Sequence, residues 1–187
     1  MGGCGQVSGG KSVTVTIGTP VSDVRFQDAN LQKCFNEQVV QKGWVNADDV
    51  EVLECIGAGI SNASGLYQLS SLKHLHLGFN RLNSIDLRSN TELRTLNLDF
   101  NWISYLDLSR NTLLEEMYLY DNALPSIDLS ANTALRVIGL TENYITDIDL
   151  RANSALEVLY IEFNPLSART ISYLNSLNSE TVTIYQN

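Results

Sequence analysis

The chain has 187 residues, with 21 Asp or Glu against 12 Lys or Arg and a formal charge of −9. Its apolar content of 44% is enough for the core of one domain and too high for a disordered chain. No apolar run approaches the ~20 residues of a membrane-spanning helix, and so acidic a surface repels a phosphate backbone, which excludes nucleic acid as a partner.

Residues 1–25 read as a linker-like N-terminal segment. GQVSGGKS, residues 5–12, formally matches a phosphate-binding loop at Gly5, Gly10, Lys11 and Ser12. That loop needs a strand before it and a helix after it, so that backbone amides and the helix dipole converge on phosphate. Here a few residues precede it and the β-rich run SVTVTI, residues 12–17, follows, so a flexible Gly/Ser linker is the better reading. SVTVTI itself has strand alternation and an edge pairing with the next element is open to it.

Residues 26–49 read as a helical N-terminal cap. In DANLQKCFNEQVVQKG, residues 28–43, Asp28 is placed to cap a helix and Gly43 to end it. Leu31, Cys34, Phe35 and Val39 fall on one helical face. VEVLEC, residues 50–55, then reads as a strand with Cys55 in an inward place. A disulfide is expected between Cys34, on the core side of the cap, and Cys55 in the coil beneath it. Over their 21-residue separation it would contribute ~3 kcal/mol in the chain-entropy account. Two buried free thiols are the other reading, and Cys4 is the cysteine left over.

Residues 50–166 repeat. Leu72, Leu93, Leu114, Leu135 and Leu156 stand 21 residues apart, and each opens a skeleton that passes through L-x-L to an asparagine: Asn80, Asn101, Asn122, Asn143, Asn164. Period two turns the leucines of L-x-L to one side of a strand. A coil this short cannot bury its own leucines, so coils must stack into a solenoid with a parallel sheet. The asparagines then take backbone groups where the strand bonds stop. Ile85-Asp86-Leu87, Leu106-Asp107-Leu108, Ile127-Asp128-Leu129 and Ile148-Asp149-Leu150 predict a second short strand on the convex side. Asn90, Asn111, Asn132 and Asn153 are expected in the turn to the next coil. Residues 167–187 read as a C-terminal cap that closes the stack. Ser167 starts a helix with Ala168, Ile171 and Leu174 inward, and TVTIY, residues 181–185, forms a closing strand.

The pattern L-x-x-L-x-L-x-x-N-x-L-x-x-L-D-L-x-x-N-x-x over residues 72–166 resembles the short bacterial leucine-rich repeat class. The cysteine-bearing cap resembles those of secreted and surface-anchored bacterial repeat proteins, internalin-like ones included. The resemblance implies an α/β leucine-rich-repeat solenoid: a curved parallel sheet on the concave face, short strands or turns on the convex face, and a cap at each end. It also implies protein recognition outside the cytoplasm. MGGCGQ resembles the end of a bacterial lipoprotein signal with Cys4 as the lipidated residue, although the apolar stretch before it is absent. Myristoylation at Gly2, with Gln6 where that motif wants Ser or Thr, and an unmodified terminus stay open beside it.

Alternation along the strands names the surface shown on the concave side. The cluster Tyr118, Tyr120 and Tyr160, with Gly139 leaving a hollow between them and Val137 and Val158 alongside, is either a binding surface or aromatic cover for the sheet. Glu116 and Glu162 flank it and favour a basic partner. His74 and His76 project from one strand, with Asn97 or Asp99 on the next coil as companions. A firm third metal ligand is missing, so surface histidines are the reading and no metal or other cofactor is expected. The ladder Asp86, Asp107, Asp128 and Asp149, at ~4.8 Å spacing, would raise its members' pKa by mutual repulsion. It is expected to bond to turn amides or serine hydroxyls rather than calcium. Phe79, Phe100 and Phe163 are expected to pack against neighbouring coils. No catalytic set appears. The function expected is therefore a monomeric, non-enzymatic module gripping a protein or peptide, with a surface adhesin for glycans or host surfaces as the alternative. Membrane contact is expected only through a lipid at Cys4.

Overall fold

The computed structural model describes residues 18–177 and 182–186. The GQVSGGKS loop, the SVTVTI run and Cys4 lie outside them. Seven three-residue strands form one parallel sheet in sequence order: β1 (Val52–Glu54), β2 (His74–His76), β3 (Thr95–Asn97), β4 (Glu116–Tyr118), β5 (Val137–Gly139), β6 (Val158–Tyr160) and β7 (Thr183–Tyr185). Helix α1 (Ala29–Lys42) precedes the sheet and α2 (Ala168–Leu177) lies between β6 and β7. In register, Leu53, Leu75, Leu96, Met117, Ile138, Leu159 and Ile184 form one inward column. All seven are buried, and together with the leucines that open each coil they make one continuous core along the solenoid. The same backbone step is taken by every coil because the same residues recur at the same place.

The first asparagine ladder closes each coil. Asn101 shows the pattern: its Nδ2 donates to the carbonyls of Leu77, Leu98 and Asp99 at 3.0, 2.9 and 3.2 Å, and its Oδ1 accepts from Leu82 N at 2.9 Å. One side chain thus bonds backbone groups of two coils, Leu82 N among them, which has no backbone partner among the described residues. The second ladder is buried as deeply. Asn90, Asn111, Asn132 and Asn153 each donate through Nδ2 to two carbonyls of the preceding coil, as Asn111 does to Leu87 O and Asn90 O at 3.0 and 2.8 Å. Among the described residues their Oδ1 atoms have no partner. These are stacking residues, not merely turn formers.

The convex side carries turns where alternation predicted strands. The aspartates explain the difference. The carboxylate of Asp86 accepts from Arg88 N at 3.1 Å, that of Asp107 from Ser109 N at 3.0 Å, that of Asp128 from Ser130 N at 2.9 Å and that of Asp149 from Arg151 N at 3.1 Å. Each bends the chain two residues on and so ends any strand. Repulsion does not set their titration. Hydrogen bonds from Arg88 and Arg151 hold Asp86 and Asp149 at about 2, and bonds from Ser109 and Ser130 lower Asp107 and Asp128.

At the N-terminal end, Asp28 caps α1 by accepting from Asn30 N and Leu31 N at 2.9 and 3.1 Å. Its other oxygen accepts from Ser61 N, Ser61 Oγ and Asn62 N, tying the helix to the first coil. Gly43 ends α1 in the left-handed region at φ 71°. The bond between Cys34 and Cys55 is present, with Cα atoms 5.9 Å apart. Beside it, buried Gln38 donates to Glu54 O at 2.8 Å and accepts from Glu54 N at 3.4 Å. A side-chain amide thus pairs the outer edge of β1 as another strand would. Val24 and Phe26, ahead of the helix, are buried too, and Phe26 meets Phe35 edge to face at 5.3 Å. In α2 the buried residues are Thr170 and Leu174. Ala168 is exposed and Ile171 half-buried. The helix is turned this way because Ser167 Oγ and Thr170 Oγ1 both donate to Asp147, at 2.7 and 2.9 Å.

Candidate functional site

Every second residue of the strands faces solvent on the concave side. Val52, His74, Thr95, Glu116, Val137 and Val158 align as one row across the sheet, and Glu54, His76, Asn97, Tyr118, Gly139 and Tyr160 as another. β7 extends the second row with Tyr185. A third row, just past the strands, carries Ile56, Gly78, Asp99, Tyr120, Thr141 and Glu162.

The tyrosines form a ridge. Ring centroids are 6.2 Å apart for Tyr118–Tyr120, 6.0 Å for Tyr120–Tyr160 and 4.8 Å for Tyr160–Tyr185, the last pair lying flat on one another. Tyr185 was not in the group read from the sequence; its place in register with Tyr160 reveals it. The hollow expected at Gly139 is filled: a Cβ there would lie 2.6 Å from Cζ of Tyr120. Glycine lets the Tyr120 ring lie down on the sheet, and Val137 and Val158 stand half-buried beside it.

Three acids of this face, Glu116, Glu162 and Asp99, accept from uncharged donors. Glu116 accepts from Tyr118 OH at 3.1 Å, and Glu162 from Thr141 Oγ1 at 2.7 Å. Asp99 accepts from Tyr120 N at 2.7 Å and from Asn97 Nδ2 at 2.8 Å. Burial raises the pKa of Asp99 despite those bonds. Burial, with Glu116 nearby, pushes Tyr118 up to about 12, and burial beside Asp99 raises Tyr120 further. These phenols stay protonated at neutral pH, and that of Tyr118 donates to Glu116.

His76 shares its row with Glu54 and Asn97, around a concavity of about 320 Å³. Asn97 is engaged with Asp99, and among the described residues no group of three or more His, Cys, Asp or Glu gathers at metal-binding geometry. At the rim, Gly57, Phe79, Phe100, Asp121, Glu142 and Phe163 occupy equivalent places, all with φ between 49° and 61°. Phe79 and Phe100 stack at 4.4 Å yet remain 56% and 43% exposed, and Phe163 is 66% exposed.

A comparison with protein-family models and with curated proteins finds no match. Solved structures do match. The functional domain of InlJ from Listeria monocytogenes is 28% identical with a TM-score of 0.59, over 62% of this chain and 26% of that one. The L. monocytogenes internalin InlF is 20% identical with a TM-score of 0.60, over 93% of this chain and 59% of that one. Internalin C2 from the same species is 18% identical with a TM-score of 0.60, over 94% of this chain and the whole of that one. The chain therefore spans about a quarter of the InlJ chain and under two thirds of InlF. With its seven-stranded parallel sheet and repeating coils, it has the leucine-rich-repeat solenoid fold that internalins share.

Proposed function

We propose that the chain is a non-enzymatic binding module that grips a protein or peptide on its concave sheet. The observation that carries this is the continuous ridge Tyr118–Tyr120–Tyr160–Tyr185, four rings each next to the following one. Rigid aromatic area with polar tips binds at low entropic cost, because little has to be ordered on association. Glu116, Glu162, Val137 and Val158 border the ridge, and His74, His76, Asn97 and Asp99 extend the same surface toward the N-terminal cap.

The Cys34–Cys55 bond supports a place outside the reducing cytoplasm, in the cell envelope or beyond it. No described helix is long and apolar enough to cross a membrane. Attachment through a lipid on Cys4 belongs to the same proposal. The test is a photo-crosslinking residue placed at Tyr160, compared with one at Asp128 on the convex side, each incubated with envelope and extracellular extracts. Adducts from position 160, lost in a Tyr118→Ala, Tyr120→Ala variant, are expected. Adducts from position 128 alone would move the site to the convex face.

A further inference from the structure

We propose that the partner presents a lysine- and arginine-rich segment to this face, held by the tyrosine ridge and by the exposed Phe79–Phe100 stack on its rim. This rests on the concave-face reading and narrows it to a class of ligand. The surface is an unpartnered sheet face, and its charge names the occupant. Glu54, Asp99, Glu116 and Glu162 stand in its rows, with Asp121 and Glu142 at its rim, and none of those places holds Lys or Arg. Lys73, Arg94 and Arg136 each stand one residue before a strand. Each is taken by a glutamate of the neighbouring coil, Glu51, Glu115 or Glu157, at 2.7, 2.6 and 2.8 Å. Among the described residues none of the six concave and rim acids has an ion-pair partner, and those bonded at all are bonded to uncharged groups.

Carboxylates flank the tyrosine ridge, with Asp121 and Glu142 beyond the Phe79–Phe100 stack on the rim. That arrangement suits side chains whose aliphatic stems cover aromatic surface while their charged ends reach carboxylates, with cation–π attraction added. A second copy of this chain, itself at −9, is repelled, as is any acidic partner. A neutral glycan could use the rings and donate hydroxyls to the carboxylates, but it gains nothing from the net negative charge of the face.

The full chain is titrated into a fluorescent oligo-arginine peptide at physiological ionic strength, with labelled oligo-glutamate and neutral dextran in parallel. Three double variants follow: Glu116→Gln with Glu162→Gln on the sheet, Phe79→Gly with Phe100→Gly on the rim, and Asp107→Asn with Asp128→Asn on the convex side. Gly57 already holds the equivalent rim position at φ 61°, so the rim variant keeps its backbone. Oligo-arginine affinity should fall at least about tenfold in the sheet and rim variants, and less than about twofold in the convex one. Equal loss on both faces, no oligo-arginine binding, or binding of dextran or oligo-glutamate in its place overturns the proposal. If the rim variant misfolds, the sheet variant decides. Adducts at position 160 that oligo-arginine does not displace would remove the charge assignment and leave the concave-face reading standing.

Discussion

Tyr120 lies over Gly139 of the next coil, its ring in the space a side chain would need. Gly139 is not in the left-handed region, so an alanine there would suffer no backbone strain and would act only by lifting the ring. Gly139→Ala should therefore cost about 1 kcal/mol by urea denaturation, from lost contact with Tyr118 and Tyr160. Because burial and Asp99 hold the Tyr120 pKa up, the displaced phenol should titrate lower in an ultraviolet pH titration. An unchanged titration curve would mean that the ring is not seated on residue 139.

The Cys34–Cys55 bond crosslinks positions 21 residues apart. Constraint of the unfolded chain should contribute ~3 kcal/mol, so reduction should lower Tm by roughly 6–12 °C for a domain of this size. Cys34→Ser should melt at the reduced wild type's temperature and be indifferent to reductant. A reductant effect persisting in Cys34→Ser would assign the stabilisation elsewhere.

Asp28 is the acid-sensitive joint of the N-terminal cap. Burial raises its pKa, but bonds from Ser61, Leu31 and Asn30 outweigh that, and the net folded value lies below the ordinary one. A depressed folded pKa means that its contribution is complete above the unfolded pKa of about 3.9 and is lost as pH falls through the folded value. Asp28→Ala should cost about 1–2 kcal/mol at neutral pH as a lost helix cap. Its stability gap to wild type should close as pH drops below about 4, measured by urea titration at several pH values. A gap independent of pH would show that charge plays no part in the joint.

What could be read in advance followed the period. The inward leucine column, the Asn80 series and the cysteine pair are visible because repetition or helical spacing marks them. Gln38 was invisible: a glutamine on a helix looks like any surface residue, and its partner is the backbone edge of β1, which exists only once the sheet is built. Thr170 displaced Ala168 from the inner face of α2 for a similar reason, a bond to Asp147 that spacing does not encode. On the concave face the rows were legible from alternation alone, whereas the Gly139 seat depends on a ring reaching across from the adjacent coil. The Asn90 series stands in the turns where its repeat places it, but that its amides fold inward and tie coil to coil is not legible, because a sequence does not show which polar turn residues are buried.

The two asparagine ladders should therefore differ in cost. Asn101→Ala strands Leu82 N and removes the donor shared by the carbonyls of Leu77, Leu98 and Asp99. The carbonyls of Leu77, Leu98 and Asp99 keep bonds from Asn80 Nδ2, Asn122 Nδ2 and Phe79 N, so Leu82 N alone is left without a partner and the loss should be about 1–3 kcal/mol. Asn111→Ala removes only the donor to Leu87 O and Asn90 O, because its Oδ1 already lacks a partner, so no N–H is stranded. Leu87 O keeps the bond from Asn90 N at 3.0 Å and Asn90 O the bond from Leu93 N at 3.3 Å, so neither carbonyl is left without a donor. Asn111→Ala should therefore be the milder change, about 0.5–1.5 kcal/mol. Urea denaturation of both variants checks the ranking. If Asn111→Ala proved the more damaging, its Oδ1 would have a bound partner in solution, such as a buried water bridging the coils.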